Sequence, residues 1–234
     1  MTRVLSEAYV LARSDFQETS RIVTLFSRSL GRIGCLAKGA HRDQSPLLGA
    51  IDLLLLVDAT VVTRNTGLHL LQSARVRHDN RGLLRPTARL QLAQELARLF
   101  LRALPEGRVD AELFDLFKGG MILVERAPVD RLPQVRLALE LRLLRALGLL
   151  AELDRCATCA APLPAGGFLH ADMRLLCASH RGPRDQPVPG DVLGTLCRLL
   201  QARGRDLPGL RPRPATLQFA QEIGTRLLRQ IEST

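Results

Sequence analysis

The strongest chemical signal in this chain is a pair of short motifs, Cys156-Ala157-Thr158-Cys159 and Cys177-Ala178-Ser179-His180, separated by seventeen residues. Thiolate and imidazole are metal donors, and an x₂ spacing lets one tight turn aim two of them at the same ion. Two such turns complete a tetrahedron. Four unrelated buried side chains would not fall into matched pairs inside one Pro/Gly-rich stretch. Four protein ligands leave no coordination position open, so the expected role is structural, with one zinc per chain. Iron is the competing ion, and this donor set suits zinc better. Between the pairs, Gly166–Leu169 and Leu175-Leu176 read as a hairpin around Ala171 to Arg174, the layout of a zinc ribbon.

Catalytic patterns are missing. A zinc nucleobase deaminase needs H-x-E followed by P-C-x-x-C, and the nearest string, His170-Ala171-Asp172, has no glutamate. There is no G-x-S-x-G, no phosphate-cradling GxxxxGK[ST] and no H-E-x-x-H. The chain is therefore expected not to be an enzyme. Cys35 and Cys197 sit among apolar neighbours and read as core residues, while His69 and His78 carry no recognisable pattern.

Charge supplies the second signal. The 234 residues hold 33 Lys+Arg against 23 Asp+Glu, a net +10, and only Lys38 and Lys118 are lysines. Arginine's planar fork suits phosphate, so the surplus points to a polyanionic partner such as nucleic acid. The excess is spread over residues 1–80, 81–150 and 186–234, whereas 151–185 is neutral. The cysteine-bearing segment thus reads as a structural element. Arg32, Lys38 and Arg42 cluster around the flexible Gly39, with His41 beside them, and Arg64, Arg75 and Arg77 fall at later strand ends. Aromatics are scarce, with no Trp and one Tyr, so binding should rest on phosphates and weaken steeply with salt. Of Tyr9, Phe16 and Phe26, at least one is expected in the core.

The elements that must position these groups follow from periodicity. Val4 to Leu11, Ile22 to Ser27, Ile33 to Lys38, Leu53 to Thr63 and Leu68 to Val76 read as five strands, with Gly31 and Asn65-Thr66-Gly67 as turns and Ala40 to Gly49 as a loop. Five short strands make a small closed barrel or a sandwich. After Pro86 the period becomes helical. Leu90 to Leu104, a helix capped by Asp110, and one ending at Gly148 form three apolar stripes, and two more helices run from Asp191 (as N-cap) to Ala202 and from Thr216 to Ile231. The fold class is thus α+β and multi-domain: a barrel over 1–80, a helical bundle from 81–150 and 186–234, and a zinc-ribbon-like insert over 151–185. No stretch is long and apolar enough to span a bilayer, and Met1 to Val10 lacks the pattern of a signal peptide, so a cytoplasmic location is expected.

The run YVLARSDFQETSRIVTLFSRSLGRIGCLAKGAHR, Tyr9 to Arg42, resembles the start of the RecO family of bacterial recombination mediators. The matching features are Glu18 in DFQET, the IVTLF strand, the Gly31 turn and the AKGA-x-R string, and the likeness continues through the helical region and the four-ligand insert. His180 stands where metal-binding members commonly carry a fourth cysteine. The resemblance implies that the barrel is an OB fold. It implies binding of single- and double-stranded DNA, annealing of complementary strands, and nucleoid association. It also implies partnership with RecR and with the tail of the single-stranded DNA-binding protein, so that recombinase loads onto coated strands in the RecF pathway. On that analogy Lys38 and Arg42 are the first DNA contacts, then Arg32 and His41, with Gly39 letting the backbone approach phosphate. Two other classes remain open: an RNA- or ribosome-associated OB/zinc-ribbon protein, and a protein-interaction adaptor whose charge serves solubility.

Overall fold

Aliphatic and polar residues alternate through the N-terminal third, and that period-two pattern is what a sheet closed around its own apolar face requires. In the computed structural model, which describes residues 2–232 apart from the side chains of residues 230 and 232, this region forms β1 (Arg3–Phe16), β2 (Ser20–Ser27), β3 (Gly31–Ala37), β4 (Leu56–Val62) and β5 (His69–His78). The strands close into a barrel in the order β1-β2-β3-β5-β4, and the β1–β4 ladder seals it. Neighbours are antiparallel except β3 and β5, which pair in parallel at Cys35–His69 and Leu36–Leu70.

Inward positions recur every second residue. Ala8 and Val10, Val23 and Leu25, Ile33, Cys35 and Ala37, and Val57, Ala59 and Val61 are all buried in one cluster. Cys35 is the core residue its neighbours predict, and burial pushes its thiol up to about 12. The segment Ala40 to Gly49 is the expected loop, yet it also supplies core: Ala40 and Leu47 join the same cluster, as do Ala50, Ile51 and Leu55 just after it.

All five strands shift at an end by a residue or two, and two boundaries differ from expectation by more. β1 runs on from Leu11 to Phe16, because a bulge between Val10 and Ala12 shifts the register and lets the ladder with β2 continue. Leu53 to Leu55 does not extend β4, since Leu54 adopts a left-handed φ of 66° and donates its N–H to the Val10 carbonyl (2.8 Å).

The chain divides into two compact units, Met1–Arg126 and Ala127–Thr234. The sequence pattern groups all five helices into one bundle, but α1 (Thr87–Ala103) and α2 (Ala111–Arg126) fall with the barrel. Aromatic packing is the reason. Tyr9 and Phe26 point out of the barrel and are fully buried beneath Phe100 of α1 and Phe114 and Phe117 of α2. The Tyr9–Phe117 and Phe100–Phe117 ring centroids lie 5.0 and 4.9 Å apart in edge-on geometry. As its composition predicts, Asp110 caps α2, its Oδ1 accepting from the Leu113 N–H (2.9 Å).

In the second unit α3 (Leu132–Ala146), α4 (Gly190–Gln201) and α5 (Pro214–Glu232) pack on one another. Gln134, buried within them, donates to the Leu207 and Leu210 carbonyls and so keeps its amide satisfied. Asp191 is not the N-cap of α4. It lies inside the first turn, and its carboxylate accepts from the Thr216 hydroxyl (2.8 Å), tying α4 to α5. Cys197 is only half-buried, because the inward stripe of α4 runs through Val192, Leu193, Leu196 and Leu199.

Candidate metal centre and candidate nucleic-acid interface

The segment between α3 and α4 folds as a three-stranded sheet, β6 (Gly166–Leu169), β7 (Leu175–Leu176) and β8 (Gln186–Pro189), in the order β7-β6-β8. The hairpin turns at Ala171 to Arg174, as its residues predict, with Phe168 opposite Leu176 and Leu169 opposite Leu175. Two knuckles stand beside it. Cys156 accepts the Ala160 N–H at its carbonyl (2.8 Å), a turn made possible by Ala160 at φ 58°, and the Ala157 N–H reaches the Leu175 carbonyl (2.8 Å). The second knuckle is closed by the His180 N–H on the Cys177 carbonyl (3.1 Å).

These turns bring Cys156, Cys159, Cys177 and His180 together, with all four donor atoms within 4.8 Å of one another, close enough to hold one metal ion. Cys159 Sγ lies 3.9 Å from Cys177 Sγ, and His180 Nδ1 lies 3.3 Å from Cys177 Sγ and 3.8 Å from Cys156 Sγ. Burial pushes the Cys156 thiol up, but backbone N–H groups of Cys177, Cys159 and Thr158 outweigh it and hold it down near 5. Cys177 is lowered too: burial opposes, while His180 and the Ser179 N–H favour the thiolate. Cys156 and Cys177 thus favour the deprotonated sulfur that a metal binds, whereas Cys159 is raised, the Ala161 N–H favouring its thiolate but burial and the neighbouring Cys156 and Cys177 sulfurs outweighing it.

The cations singled out in the sequence separate into two groups. Lys38 and Arg42 are exposed and have no acidic partner among the described residues. Their loop is anchored by the His41 N–H on the Thr19 carbonyl and the Arg42 N–H on the Gly39 carbonyl (both 3.1 Å). Gly39 takes φ +65°, and the Arg42 side chain lies against it. Arg64 is exposed in the β4–β5 turn, where its N–H donates to His69 Nδ1 (3.0 Å), and Arg75 is exposed on β5.

The remaining members are engaged. Arg32 is half-buried and donates to the Leu101 carbonyl at the end of α1 (2.7 Å). Arg77 is neutralised by Asp58 (3.1 Å) and Glu7 (3.3 Å), and Glu7 also takes Lys118 (2.8 Å). His41 Nε2 meets Asp15 Oδ1 at 2.9 Å.

Two cations missed by the sequence reading, Arg13 and Arg21, lie beside this loop. The Arg21 Nε donates to Asp15 (2.9 Å) and sits 3.2 Å from His41 Nε2, while Arg13 pairs with Asp52. The hydrogen bonds from Arg21 and then His41 hold the Asp15 carboxyl below its usual range. Their signal was the length of the β1–β2 hairpin: only once β1 reaches Phe16 does Asp15 stand opposite Arg21, and Arg21 opposite Ala37.

A cleft of about 290 Å³ opens on the second unit between α4 and the connector after it, lined by Thr195, Arg198, Leu199, Leu210, Arg211 and Pro212. It combines two guanidinium groups with apolar walls. None of the described helices is long and apolar enough to cross a membrane.

Comparison with known proteins covers almost the whole chain. The family model described as "Recombination protein O N terminal" matches residues 1–79, and "Recombination protein O C terminal" matches residues 87–230. The chain is 33% identical over 207 residues to the DNA repair protein RecO of Anaeromyxobacter dehalogenans (strain 2CP-C), covering 85% of this chain and 80% of that protein. It is 33% identical over 181 residues to the DNA repair protein RecO of Geobacter metallireducens, covering 76% and 73%. The corresponding protein of Rhodopirellula baltica is 34% identical over 153 residues, 65% of this chain and 56% of that one.

Proposed function

The chain belongs to the Recombination protein O family of DNA repair proteins, and from that premise we propose that it is a non-catalytic DNA-binding mediator of recombinational repair. It binds single and double strands, anneals complementary strands and, with RecR, helps load recombinase onto strands coated by the single-stranded DNA-binding protein. The work is done in the cytoplasm, on the nucleoid. The observation that carries this reading is the 38–42 loop, where Lys38 and Arg42 stand exposed with no acidic partner among the described residues while the chain between them is pinned to the barrel. The strand order β1-β2-β3-β5-β4 supports assigning the barrel to the OB class, which uses such faces for oligonucleotides.

Annealing requires two polyanions to approach, and cations held at fixed positions lower that repulsion without consuming a nucleotide. Lys38 and Arg42 take phosphates directly, and Arg64 and Arg75 extend the positive surface. Arg32, His41 and Arg77 act through position: Arg32 ties β3 to α1, His41 holds the loop against Asp15, and Arg77 closes the Glu7 cluster. The tail of the single-strand binder, acidic and apolar at once, fits the Arg198–Arg211 cleft.

The metal of the Cys156–His180 centre is zinc, one per chain. A tetrahedral ion with Zn–S bonds of about 2.3 Å sets sulfurs about 3.8 Å apart, close to the separation of Cys159 and Cys177. Cys156, Cys159, Cys177 and His180 would hold the ion, which would tie the two knuckles to the β6–β7 hairpin and contribute to folding.

Binding of single-stranded DNA, duplex DNA and structured RNA across a salt series, together with annealing of complementary oligonucleotides coated by the cognate single-strand binder, tests the whole. Annealing and salt-sensitive binding of both DNA forms are expected. Preference for structured RNA without annealing would replace this reading by the RNA-associated one. Unchanged DNA affinity in a Lys38→Glu/Arg42→Glu variant would leave only an adaptor.

A further inference from the structure

Seven of the eight aromatic side chains have structural employment. Tyr9, Phe26, Phe100, Phe114 and Phe117 form the cluster between barrel and helices, Phe168 lies under the Arg181 guanidinium at 4.5 Å, and Phe219 is half-buried on α5. Phe16 alone is exposed, at 37%, and makes no ring contact among the described residues. It ends β1 at the tip of the β1–β2 hairpin, opposite the small, buried Ser20.

Register places its ring. Directly opposed residues share a face of a sheet, as do residues two apart on one strand. The pairs Phe16–Ser20, Ser14–Ile22 and Ile22–Leu36 therefore put Phe16, Ile22 and Leu36 on one face, and the exposed Lys38 opens the turn that follows β3, two residues after Leu36. Arg13, Asp15 and Arg21 belong to the other face. Ile22 and Leu36 are half-buried, which leaves a shallow apolar floor with Phe16 on β1 at one side and the exposed Lys38, just past the end of β3, at the other. Two strand spacings separate their backbones, about 10 Å, a gap that the four-carbon lysine stem narrows.

Resting on the DNA-binding reading above, we propose that Phe16 is a base-stacking platform. An unpaired base lies on its ring while Lys38 takes a neighbouring phosphate, so this face discriminates single strands from duplex. In a duplex both faces of each base are already covered by its neighbours, and only phosphates remain for Lys38. In a single strand the ring adds a contact that tolerates any base, since every base has a π-face.

The chain has no tryptophan, so Phe16→Trp creates a single reporter on the whole folded chain. Its emission should be quenched by oligo(dT) and shielded from acrylamide, and a blunt duplex at saturating concentration should change neither. Phe16→Ala should weaken single-strand binding about tenfold while duplex binding stays within about twofold. Phe16→Leu, which keeps the apolar contact but loses the ring, should behave as the alanine variant does. The proposal is overturned if single- and double-strand affinities fall together in Phe16→Ala, if neither falls, if Phe16→Leu binds as the parent does, or if the tryptophan stays unquenched on bound oligo(dT). Lys38→Glu/Arg42→Glu separates the two layers. Loss of both DNA forms in that variant with a normal Phe16→Ala removes stacking alone, whereas a parent protein that binds no DNA removes both readings.

Discussion

Phe117→Ala tests whether α2 belongs to the barrel's own core. The ring is 1% exposed and meets Tyr9, Phe26 and Phe100 edge-on at 5.0, 6.0 and 4.9 Å. Burying a phenylalanine removes about 150–250 Å² from water, which at about 25 cal/mol per Å² is about 4–6 kcal/mol as an upper bound. Truncations of this kind cost about 3–5 kcal/mol once cavity and relaxation are included. A loss of about 4 kcal/mol is therefore expected, against a total stability of about 5–15 kcal/mol for a domain, with a fall of about 15 °C in Tm. The assay is built into the sequence. Tyr9 is the only tyrosine and there is no tryptophan, so tyrosine emission during urea unfolding follows this cluster and nothing else. Leu84→Ala, at a 59% exposed side chain, serves as the control and should cost under about 0.5 kcal/mol. A Phe117→Ala loss below about 1 kcal/mol would refute the claim that aromatic packing fuses α1 and α2 to the barrel.

Elemental analysis should find one zinc per chain; Cys156→Ser should abolish it and lower the melting of the second unit while the Tyr9 transition stays in place, and Cys197→Ser should keep it. An unaltered second-unit melt in metal-free protein would contradict the structural role. In a plot of log affinity against log salt for duplex DNA, Lys38→Gln/Arg42→Gln should flatten the slope by about 2, since each phosphate contact contributes about 0.9. Because Arg21 and then His41 hold the Asp15 carboxyl below its usual value, its stabilising contribution is complete above the ordinary carboxylate range of about 4 and disappears only as pH falls through the lowered value. The Arg21–Asp15–His41 contact should thus persist at pH 5, seen as an unshifted Asp15 carboxyl resonance down to that pH. Asp15→Asn, which frees the Arg21 guanidinium, should tighten duplex binding about threefold, half a logarithmic unit or about 0.7 kcal/mol, and weaker binding would contradict that assignment.

Local chemistry was legible wherever it depended on neighbours in the chain. The gathering of Cys156, Cys159, Cys177 and His180, the hairpin between them, the Asp110 cap and the buried Cys35 are all decided by spacing or by flanking residues, and each appears where its pattern places it. What escaped depends on pairing across the chain. The bulge at Val10–Ala12 has no composition signal, and without it β1 stops short and the Asp15–Arg21 opposition cannot be seen. The division of the helices escaped for the same reason: an apolar stripe says that Phe114 and Phe117 must be covered, but not that Tyr9 and Phe26 cover them. Asp191 has the right residue type for an N-cap, yet Thr216 offered its carboxylate a partner on α5.

The loop between β3 and β4 performs two jobs within the fourteen residues from Lys38 to Ile51. Its first part displays Lys38 and Arg42, while Leu47, Ala50 and Ile51 plug the barrel's interior. Only Asp43, Gln44 and Pro46 between them are fully solvent-facing, with Ser45 folded back onto the Arg42 carbonyl. A protease cut or a short peptide graft at Gln44 would therefore leave each flank moored, the leading one through His41 to Thr19 and the trailing one by its apolar stopper. The same anchoring makes this stretch the natural place to hang a label that watches nucleic acid arrive without loosening the fold.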